Sequence, residues 1–473
     1  KIEYILIYAN ESSRKNHLYS IKKNLKESLR NLKFKSNVSS FNFKSDEVVV
    51  IKYRNKSNFK LETYFKQRPK IGLDNIGAAS YMNSILQCFT HIDSLVDYFK
   101  YDPKIEEVKK DISNLTSSFK ILVDNLYPKN YLQIRRYAPK EIIEKISKMN
   151  PAFKGIAKND AKDLVNFIIM ALHNELNEPN KTQIREIIEQ NNIDSLYLNF
   201  LREYEDNNNS IISDLFFAIN YNITKCSSCY KELLKFQIYF SISFPLEEIN
   251  KYKISKSQSI MNIILNQSNR NYINYEKNFK NNPDYQMNKN MNYTNKVDNM
   301  NNINTTLINT QYNLIDNNNN FNEVDIYDCF EYKKKVKYLT GDDQMYCKIC
   351  KKTCDFYTCN ILKTGPEIMI IFIKREKNTK SDIKFNFCEN LNLHNFIESN
   401  SNAWKYKLIA VINIINVNNL EENFIAYCLD PIYSKWFKWF KYHDKEVTKV
   451  YDFQKEIIDS GKPHILFYQR IDK

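Results

Sequence analysis

The stretch Gly72-Leu73-Asp74-Asn75-Ile76-Gly77-Ala78-Ala79-Ser80-Tyr81-Met82-Asn83-Ser84-Ile85-Leu86-Gln87 carries the most specific pattern in the chain. Its first half holds two glycines and an asparagine, which are typical of a loop. From Ser80 onward, apolar residues recur with the spacing of one helix face, at Met82, Ile85, Leu86 and Phe89. The stretch therefore predicts a loop that delivers Ser80 to the N-terminus of a helix, which we expect to cover residues 80–99.

Other segments extend this pattern to a mixed fold. Residues 161–176 have helical periodicity, and a second helix is predicted at residues 17–33. Alternating or continuous apolar runs predict strands at residues 46–53, 236–242, 367–373 and 406–412. Because helices prevail up to about residue 190 and strands after residue 210, the predicted class is α+β.

The composition excludes some classes of protein. The chain has 473 residues, of which 43% are hydrophobic, and a formal net charge of +14. Lys and Arg are spread along the sequence, which indicates solubility rather than a nucleic-acid groove, so no nucleic-acid partner is predicted; an acidic partner surface would suit the charge. No apolar run reaches the roughly 18 residues that span a bilayer, so no membrane segment is predicted. Because the first residue is Lys1, we expect the chain to be part of a longer protein.

Residues 255–322 have a different composition from their surroundings. They are rich in Asn and show little apolar periodicity. Such a segment cannot bury enough apolar surface to offset its ordering entropy. We predict a disordered insertion here; a prion-like interaction segment is the alternative.

Two Cys-x-x-Cys pairs predict a metal site. They are Cys226-Ser227-Ser228-Cys229 and Cys347-Lys348-Ile349-Cys350. Each pair supplies two thiolates, and two pairs complete a tetrahedral Cys₄ zinc site with no open position, so the Zn²⁺ would be structural. Four unrelated buried cysteines are the alternative interpretation. Cys354 and Cys359 could compete as ligands, although their spacing is wider.

The stretch that begins at Gly72 resembles the cysteine box of the ubiquitin-specific proteases, Gly-Leu-x-Asn-x-Gly-x-Thr-Cys-Tyr-x-Asn. The resemblance continues in order over about 400 residues. Further segments resemble the family's later motifs, namely Asn159–Leu164, Asp214–Phe216, Gly365–Ile368, Ile373–Arg375, Phe424–Tyr427 and Trp439–Asp444. The chain is therefore identified as a member of this family, whose fold belongs to the papain-like cysteine proteases and acts in deubiquitination.

The resemblance implies a right-hand fold, with a helical thumb, a β palm and zinc-tipped β fingers that grip ubiquitin. It places the protease-like domain at residues 71–473, after an N-terminal extension of unknown role at residues 1–70. The expected subdomains are the thumb at about 71–205, the fingers at 206–254 and 323–362, and the palm at 363–473. It also implies an intracellular location, in the cytoplasm or nucleus. The oligomeric state is not implied.

The resemblance also implies which residues hold the catalytic positions. Ser80 stands at the position of the nucleophilic cysteine and Asn423 at that of the catalytic histidine. His443 holds the third triad position, normally Asn or Asp. Asn75 matches the residue that donates to the oxyanion hole. All three triad positions therefore differ from the family's pattern, and Ala79 replaces the threonine beside the nucleophile.

Three residues are implied to line the channel for the C-terminal tail of ubiquitin: Glu422, Phe424 and Tyr427. Glu422 replaces a glycine that allows close backbone approach. Its side chain would either fill the channel, which weakens ubiquitin binding, or point into solvent.

These departures predict a pseudoenzyme. A serine hydroxyl is a weak nucleophile unless an adjacent base takes its proton, and an asparagine cannot do so. The predicted function is a pseudo-deubiquitinase that binds ubiquitin or a ubiquitinated protein. One alternative is an active deubiquitinase, in which His443 reaches Ser80 directly and Asp444 orients the imidazole. The other is a purely structural interaction module.

Overall fold

The computed structural model describes residues 2–8, 48–53, 70–77, 80–102, 104–105, 114–128, 135–154, 161–179, 193–259, 322–376, 383–398, 404–417, 421–430, 439–459 and 462–471. For residues 2–8, 48–53, 416–417 and 421–422 it describes the backbone alone. The helix predicted at residues 17–33, the motif residues Asn159 and Asp160, and residues 260–321 lie outside these ranges.

The helices concentrate in the first half of the described residues. They are α1 Ser80–Phe89, α2 Asp93–Tyr101, α3 Leu115–Leu126, α4 Lys140–Met149, α5 Ala161–Leu176, α6 Ile193–Asn207, α7 Ile211–Phe216, α8 at residues 246–259, and α9 Ile326–Lys333. Within the described residues, no helix combines the length and apolar character that crossing a bilayer demands.

The strands run along the whole described chain. They are β1 Ile2–Tyr8, β2 Val48–Tyr53, β3 Gly72–Leu73, β4 Arg136–Tyr137, β5 Ala218–Cys226, β6 Glu232–Tyr239, β7 Ile242–Pro245, β8 Glu323–Asp325, β9 Lys337–Leu339, β10 Met345–Cys347, β11 Lys352–Cys354, β12 Phe356–Leu362, β13 Ile368–Lys374, β14 Lys384–Asn386, β15 Asn390–Asn392, β16 Lys405–Val417, β17 Glu421–Leu429, β18 Trp439–His443, β19 Glu446–Lys449 and β20 Lys462–Arg470. This mixture confirms the predicted α+β class.

The largest sheet supports the catalytic positions. Its order includes β19-β18-β17-β16-β20-β13, with antiparallel pairing, and β15 pairs with β16. Residues 368–373 of β13 are all buried, which explains why this strand reads as a continuous apolar run. Helix α1 packs against β17, and all ten of its residues are buried.

The first predicted helix is divided in two. We expected one helix over residues 80–99, but the chain leaves the helical path between α1 and α2. The Thr90 hydroxyl donates to the carbonyls of Leu86 at 2.9 Å and Gln87 at 3.1 Å. Side-chain bonds of this kind compete with the helix ladder for the last carbonyls of α1, which explains the break.

A four-stranded sheet carries the two Cys-x-x-Cys pairs. Its order is β6-β5-β12-β9, and all its pairs are antiparallel. The hairpin β10–β11 contributes the second pair of cysteines. The strand predicted at residues 236–242 is interrupted, because β6 ends at Tyr239 and β7 starts at Ile242. We call β6-β5-β12-β9 the fingers sheet.

Contacts divide the chain into two compact units. The first is Lys1–Ser243, Lys334–Phe372 and Cys388–Lys473, and the second is Phe244–Lys333 and Ile373–Phe387. Residues 244–254 and 323–333, which we predicted as fingers, thus belong to the second unit. Residues 255–259, predicted as the start of the disordered insertion, are helical and continue α8. In the second unit Lys253 pairs with Asp328 at 2.8 Å.

Candidate functional site

Ser80 occupies the first position of α1, as the sequence predicts. The residue is 9% exposed. The positive end of the helix dipole lies at this position, where it would stabilise a developing negative charge. Ala79, at the threonine position of the family pattern, lies outside the described residues. Ser80 therefore lies where a nucleophile would be stabilised by the N-terminus of α1.

A buried polar stripe on α1 fixes the neighbouring segments. The Asn83 amide donates to the carbonyls of Leu73 and Asp74, each at 3.3 Å, and to Asp444 Oδ1 at 2.8 Å. One turn later, the Gln87 amide donates to the Ile71 carbonyl at 2.9 Å. The spacing of four residues places these side chains on one helix face. The stripe therefore ties the loop before α1 and the turn after β18 to the same helix.

His91 continues this stripe beyond the end of α1. Its Nδ1 lies 2.6 Å from the Gln87 carbonyl, so Nδ1 carries the proton there. Its Nε2 lies 3.0 Å from the Tyr442 hydroxyl, which donates to it. His91 is 1% exposed. This buried histidine thus anchors β18 and is not available as a base for Ser80.

Asn75, the predicted oxyanion donor, is already engaged. Its Nδ2 donates to Asp444 Oδ2 at 3.0 Å. Asp444 has a left-handed backbone, with φ of 51°, and its carbonyl accepts from the Leu73 amide at 2.8 Å. Asp444 therefore binds Asn75, Asn83 and Leu73 together, rather than orienting His443. Because a side-chain amide has two N–H donors, this bond does not prevent Asn75 from donating to an oxyanion.

Strand β17 brings Asn423 next to α1. The hydroxyl of Ser84 donates to the Phe424 carbonyl at 2.9 Å, and the rings of Tyr81 and Phe424 lie 6.1 Å apart. Asn423 and Phe424 are half-buried, whereas Tyr427 is 2% exposed. Of the two aromatic residues predicted along the tail channel, only Phe424 thus has surface for a bound chain.

Glu422 is described by its backbone alone. It pairs with Asn416 of β16 in the antiparallel register of β17. The prediction for its side chain lies outside the described atoms and stays a prediction.

Among the residues that the structure describes, no base bonds to Ser80. Within the described residues, the side chains of Ser80, Asn423 and His443 form no hydrogen bond with one another or with a third group. His443 ends β18 and is half-buried. The alternative in which His443 takes the proton of Ser80 directly therefore has no contact that supports it.

His443 instead faces a polar cleft of about 480 Å³. The cleft is lined by Asp74, Asn75, Arg136, His443, Asp444, Lys445 and Glu446. Arg136 and Lys445 bring positive charge to it, and three carboxylates bring negative charge. Arg136 and Lys445 lie outside the motifs of the sequence and could not be predicted as site residues. The cleft can hold polar or charged ligand groups, but it contains no aligned nucleophile–base pair.

Gly72 allows the loop before α1 to approach the turn after β18 closely. A Cβ at this position would lie 2.2 Å from the Lys445 carbonyl oxygen and 2.4 Å from its carbon. We expect Gly72→Ala to lower the free energy of unfolding by about 2–3 kcal/mol. The added methyl group would clash with backbone atoms of Lys445, which cannot move aside as the tip of a flexible side chain can. Thermal unfolding measures this change.

The matched control is Gly341→Asn. Gly341 has φ of 62° and no atom within 4 Å of its missing Cβ, and asparagine tolerates the left-handed region. Its free energy of unfolding should fall by about 1 kcal/mol or less, because only the left-handed backbone and no close contact opposes the side chain. Equal effects of the two substitutions would contradict the close approach at Gly72.

The two Cys-x-x-Cys pairs meet at the end of the fingers sheet. The sulfurs of Cys226, Cys229, Cys347 and Cys350 all lie within 4.8 Å of one another. Cys229 and Cys347 are 3.6 Å apart, and Cys226 and Cys350 are 4.0 Å apart. A tetrahedral ion with sulfurs at about 2.3 Å would separate them by roughly 3.8 Å. The four sulfurs therefore fit a tetrahedral metal ion.

Backbone amides favour thiolate at two of these cysteines. The N–H groups of Cys229 and Ser228 lower the pKa of Cys226 to about 6. Those of Cys350 and Ile349 likewise lower the pKa of Cys347. The crowded neighbouring sulfurs raise the pKa of Cys350, Cys229 contributing most. A divalent cation at the centre would relieve this crowding of charge.

Cys354 and Cys359 are not part of the four-sulfur group. Cys354 packs in the same apolar cluster as Cys226 and Cys347, but its sulfur donates to the Lys352 carbonyl at 3.6 Å. Cys359 lies in the middle of β12 and pairs with Ile223. The structure therefore brings the four predicted metal ligands together, and Cys354 and Cys359 are not among them.

Comparisons with known proteins agree with this geometry. The family profile described as "Ubiquitin carboxyl-terminal hydrolase" matches residues 71–468. Ubiquitin carboxyl-terminal hydrolase 2 of Homo sapiens is 21% identical over 412 residues, which cover 84% of this chain and 54% of that protein. Ubiquitin carboxyl-terminal hydrolase 12 of Saccharomyces cerevisiae is 28% identical over 192 residues, covering 37% of this chain and 15% of that protein. The chain thus spans only part of these relatives.

A solved structure shows the same fold. The SAGA DUB module of Ubp8, Sgf11, Sus1 and Sgf73 bound to monoubiquitin aligns with a TM-score of 0.54 and 16% identity, over 86% of this chain and 70% of that one. The predicted ubiquitin-specific protease fold is thereby confirmed. With a family profile that matches most of its length, a four-cysteine fingers site and this fold, the chain belongs to the ubiquitin carboxyl-terminal hydrolase family.

Proposed function

We propose that this domain binds ubiquitin, or a ubiquitinated protein, without cleaving it. The observation that carries the proposal is that no base bonds to Ser80 within the described residues. Ser80 starts a buried helix, but the position of the base is held by Asn423, whose amide cannot take a proton. The fold around α1 can still position a bound protein, but no described contact supports proton transfer from the Ser80 hydroxyl.

Ubiquitin as the partner is supported by the relatives. The family is named for ubiquitin hydrolysis, and the aligned SAGA DUB module is bound to monoubiquitin. The half-buried Phe424 offers contact surface beside Ser80. An active deubiquitinase remains the competing proposal, and it needs a base that the described contacts do not provide.

We further propose that the four-cysteine group holds Zn²⁺ in a structural role. The residues that would bind it are Cys226, Cys229, Cys347 and Cys350, and a Cys₄ set leaves no coordination position for a substrate. When bound, the ion would fix the two knuckles at the end of the fingers sheet. Thiols that hold a metal suit a reducing compartment, which supports our proposal of a cytoplasmic or nuclear location.

Titration of ubiquitin against the purified chain tests the binding proposal. We expect saturable binding by calorimetry, at micromolar to submillimolar concentrations. In the variant Glu422→Gly, which restores the family's glycine, the affinity should equal or exceed that of the unmodified chain, because a glycine cannot fill the tail channel. If neither the unmodified chain nor Glu422→Gly binds ubiquitin at millimolar concentration, the proposal is refuted.

A further inference from the structure

A fifth cysteine lies beside the four-sulfur group. Cys354 ends β11, and the hairpin β10–β11 pairs Cys347 with Lys352, two residues before Cys354. Because alternate residues of a strand point to the same face, Cys347 and Cys354 share one face of this hairpin. Both belong to one buried cluster, with exposures of 5% and 4%. The register therefore directs the Cys354 thiol toward the metal ligands.

The Cys354 sulfur contacts one ligand in particular. It lies within hydrogen-bond reach of the Cys350 sulfur, and Cys350 packs against the same buried cluster. Its other contact is a long hydrogen bond of 3.6 Å to the Lys352 carbonyl. Four sulfurs saturate a tetrahedral ion, so Cys354 keeps its thiol when the metal is bound. Cys354 is thus a thiol in contact with a metal ligand that it does not replace.

Cys350 is also a ligand that solvent can reach. Cys350 and Cys229 are half-buried, whereas Cys226 and Cys347 are buried. Oxidation of a cysteine follows its thiolate character and its exposure, and a second cysteine close by turns the first oxidation product into a disulfide. Cys350 meets all three conditions, because it is a ligand, is accessible and touches Cys354.

We propose that Cys350 and Cys354 form a redox modification site, at which a peroxide converts a metal ligand into one half of a disulfide. The inference rests on the zinc site proposed above. It assigns Cys354 a chemical role that neither its sequence spacing nor the four-sulfur group gives it. The oxidant is hydrogen peroxide or an organic hydroperoxide.

The reaction takes two steps. The Cys350 thiolate attacks one oxygen of hydrogen peroxide, the O–O bond breaks, and a sulfenic acid and a hydroxide form. The hydroxide takes a proton from solvent. The Cys354 sulfur then attacks the sulfenic sulfur, and its proton leaves with the hydroxyl group as water. The two sulfurs lose two electrons, and both peroxide oxygens end as water.

Cys354 is suited to the second step by its position. The three other ligands are held at their coordination positions while Cys350 is oxidised, whereas the Cys354 thiol is not engaged by the metal and already touches Cys350. A disulfide within the pair Cys347 and Cys350 would instead remove a second ligand from the ion. The contact therefore favours Cys354 as the resolving thiol.

The disulfide leaves the ion with three sulfurs. An ion that binds four sulfurs in its structural sites is then held less tightly and dissociates more readily. Its release would loosen the end of the fingers sheet, since the apolar cluster there is small. Oxidation at this site thus controls the metal content of the fingers.

Peroxide treatment of the zinc-loaded full chain tests the proposal. A chromogenic chelator records the release of zinc, and mass spectrometry after alkylation maps the disulfides. We expect zinc release to accompany a disulfide between Cys350 and Cys354. Reduction with dithiothreitol in the presence of zinc should restore the metal content, because a disulfide is reversible.

Two variants isolate the role of Cys354. Cys354→Ser should bind one zinc ion per chain before treatment, which shows that it is folded, and should release zinc severalfold more slowly. Cys359→Ser is the matched control, because Cys359 is half-buried on β12 and lies outside the four-sulfur group. It should release zinc at the rate of the unmodified chain.

The unmodified chain carries an internal control. Cys88 and Cys428 also lie within hydrogen-bond reach of each other, but both are buried, with exposures of 0% and 1%. They should remain thiols at the peroxide concentration that oxidises Cys350, because contact without exposure does not admit the oxidant.

The outcomes separate this inference from the zinc proposal. A chain without zinc before treatment would refute the metal site, and this inference with it. With zinc bound, equal release from Cys354→Ser and the unmodified chain would overturn the role of Cys354 alone. A disulfide within a Cys-x-x-Cys pair, in place of the one between Cys350 and Cys354, would do the same.

Discussion

Cys226→Ser will abolish metal binding and unfold the end of the fingers sheet. The metal content should fall from one ion per chain to none. The loss follows from the small core at this place, where the buried cluster consists of Cys226, Cys347, Cys354 and Phe356, packed against Cys229, Leu339 and Cys350. Without the ion, four thiols would remain in contact with little apolar surface to hold the knuckles together. Structural zinc contributes about 10–16 kcal/mol of apparent binding free energy in small zinc domains, so the effect should be large.

Cys359→Ser provides the control for this substitution. Cys359 lies on β12 of the same sheet, is half-buried, and does not belong to the four-sulfur group. Elemental analysis should find one zinc ion per chain in this variant, and hydrogen exchange of β5 and β12 should stay slow. Cys226→Ser should accelerate exchange in these strands, as should a strong chelator. Retention of the metal in Cys226→Ser, or its loss in Cys359→Ser, would refute the ligand assignment.

The loop and helix around Ser80 could be predicted because their signal is local. Glycines, an asparagine and one apolar helix face define the stretch, and the structure places Ser80 at the first position of α1. The end of that helix could not be predicted in the same way. The periodicity continues past Phe89, and the break depends on the Thr90 and His91 side chains, which bond to carbonyls of α1.

The role of Asp444 depends on contacts that span the chain. Asn83 and Asn75 both donate to it, across 361 and 369 residues. The sequence offered a partial signal, because Asn83 and Gln87 are polar residues four apart within a largely apolar helix. Such a pair indicates buried amides in need of partners, but not which carbonyl or carboxylate provides them.

The four metal ligands could be predicted because each Cys-x-x-Cys pair is a local unit with a defined geometry. The proximity of Lys225, Tyr357 and Tyr338 could not, since it arises from the register of β5, β12 and β9. A shift of one residue in the pairing of β12 would turn Tyr357 to the opposite face of the sheet. Register of this kind is set by the whole sheet, so Tyr338 and Lys225 give no sign of their proximity in the sequence.

Changing the three triad positions to the family's residues will create hydrolytic activity. The triple variant Ser80→Cys, Asn423→His and His443→Asn should cleave a fluorogenic ubiquitin amide about 10³- to 10⁶-fold faster than the unmodified chain. The cysteine supplies a stronger nucleophile at a helix N-terminus, and the imidazole supplies the base that Asn423 cannot. The asparagine then orients that imidazole.

The single variants distinguish the contributions of nucleophile and base. Ser80→Cys alone should give little turnover, because its thiol still has no adjacent base. Asn423→His alone should also stay low, because Ser80 is a weaker nucleophile than a thiol and His443 stands where the group that orients the imidazole belongs. The double variant Ser80→Cys, Asn423→His should exceed both single variants, since triad residues act as a unit and their effects are far from additive. It should stay below the triple variant, in which His443→Asn supplies the orienting group.

The bond between Asn75 and Asp444 holds the amide that would donate to an oxyanion. A side-chain amide has two N–H donors, so its bond to this carboxylate at 3.0 Å does not prevent Asn75 from donating to an oxyanion as well. Adding Asp444→Ala should therefore lower the turnover of the triple variant by up to about 10²-fold, because Asn75 loses the acceptor that orients it. The same substitution removes the link to Asn83, so its melting temperature must be measured alongside the rate. Turnover by the unmodified chain that disappears in Ser80→Ala would show instead that a base reaches this serine, and the domain would then be an enzyme.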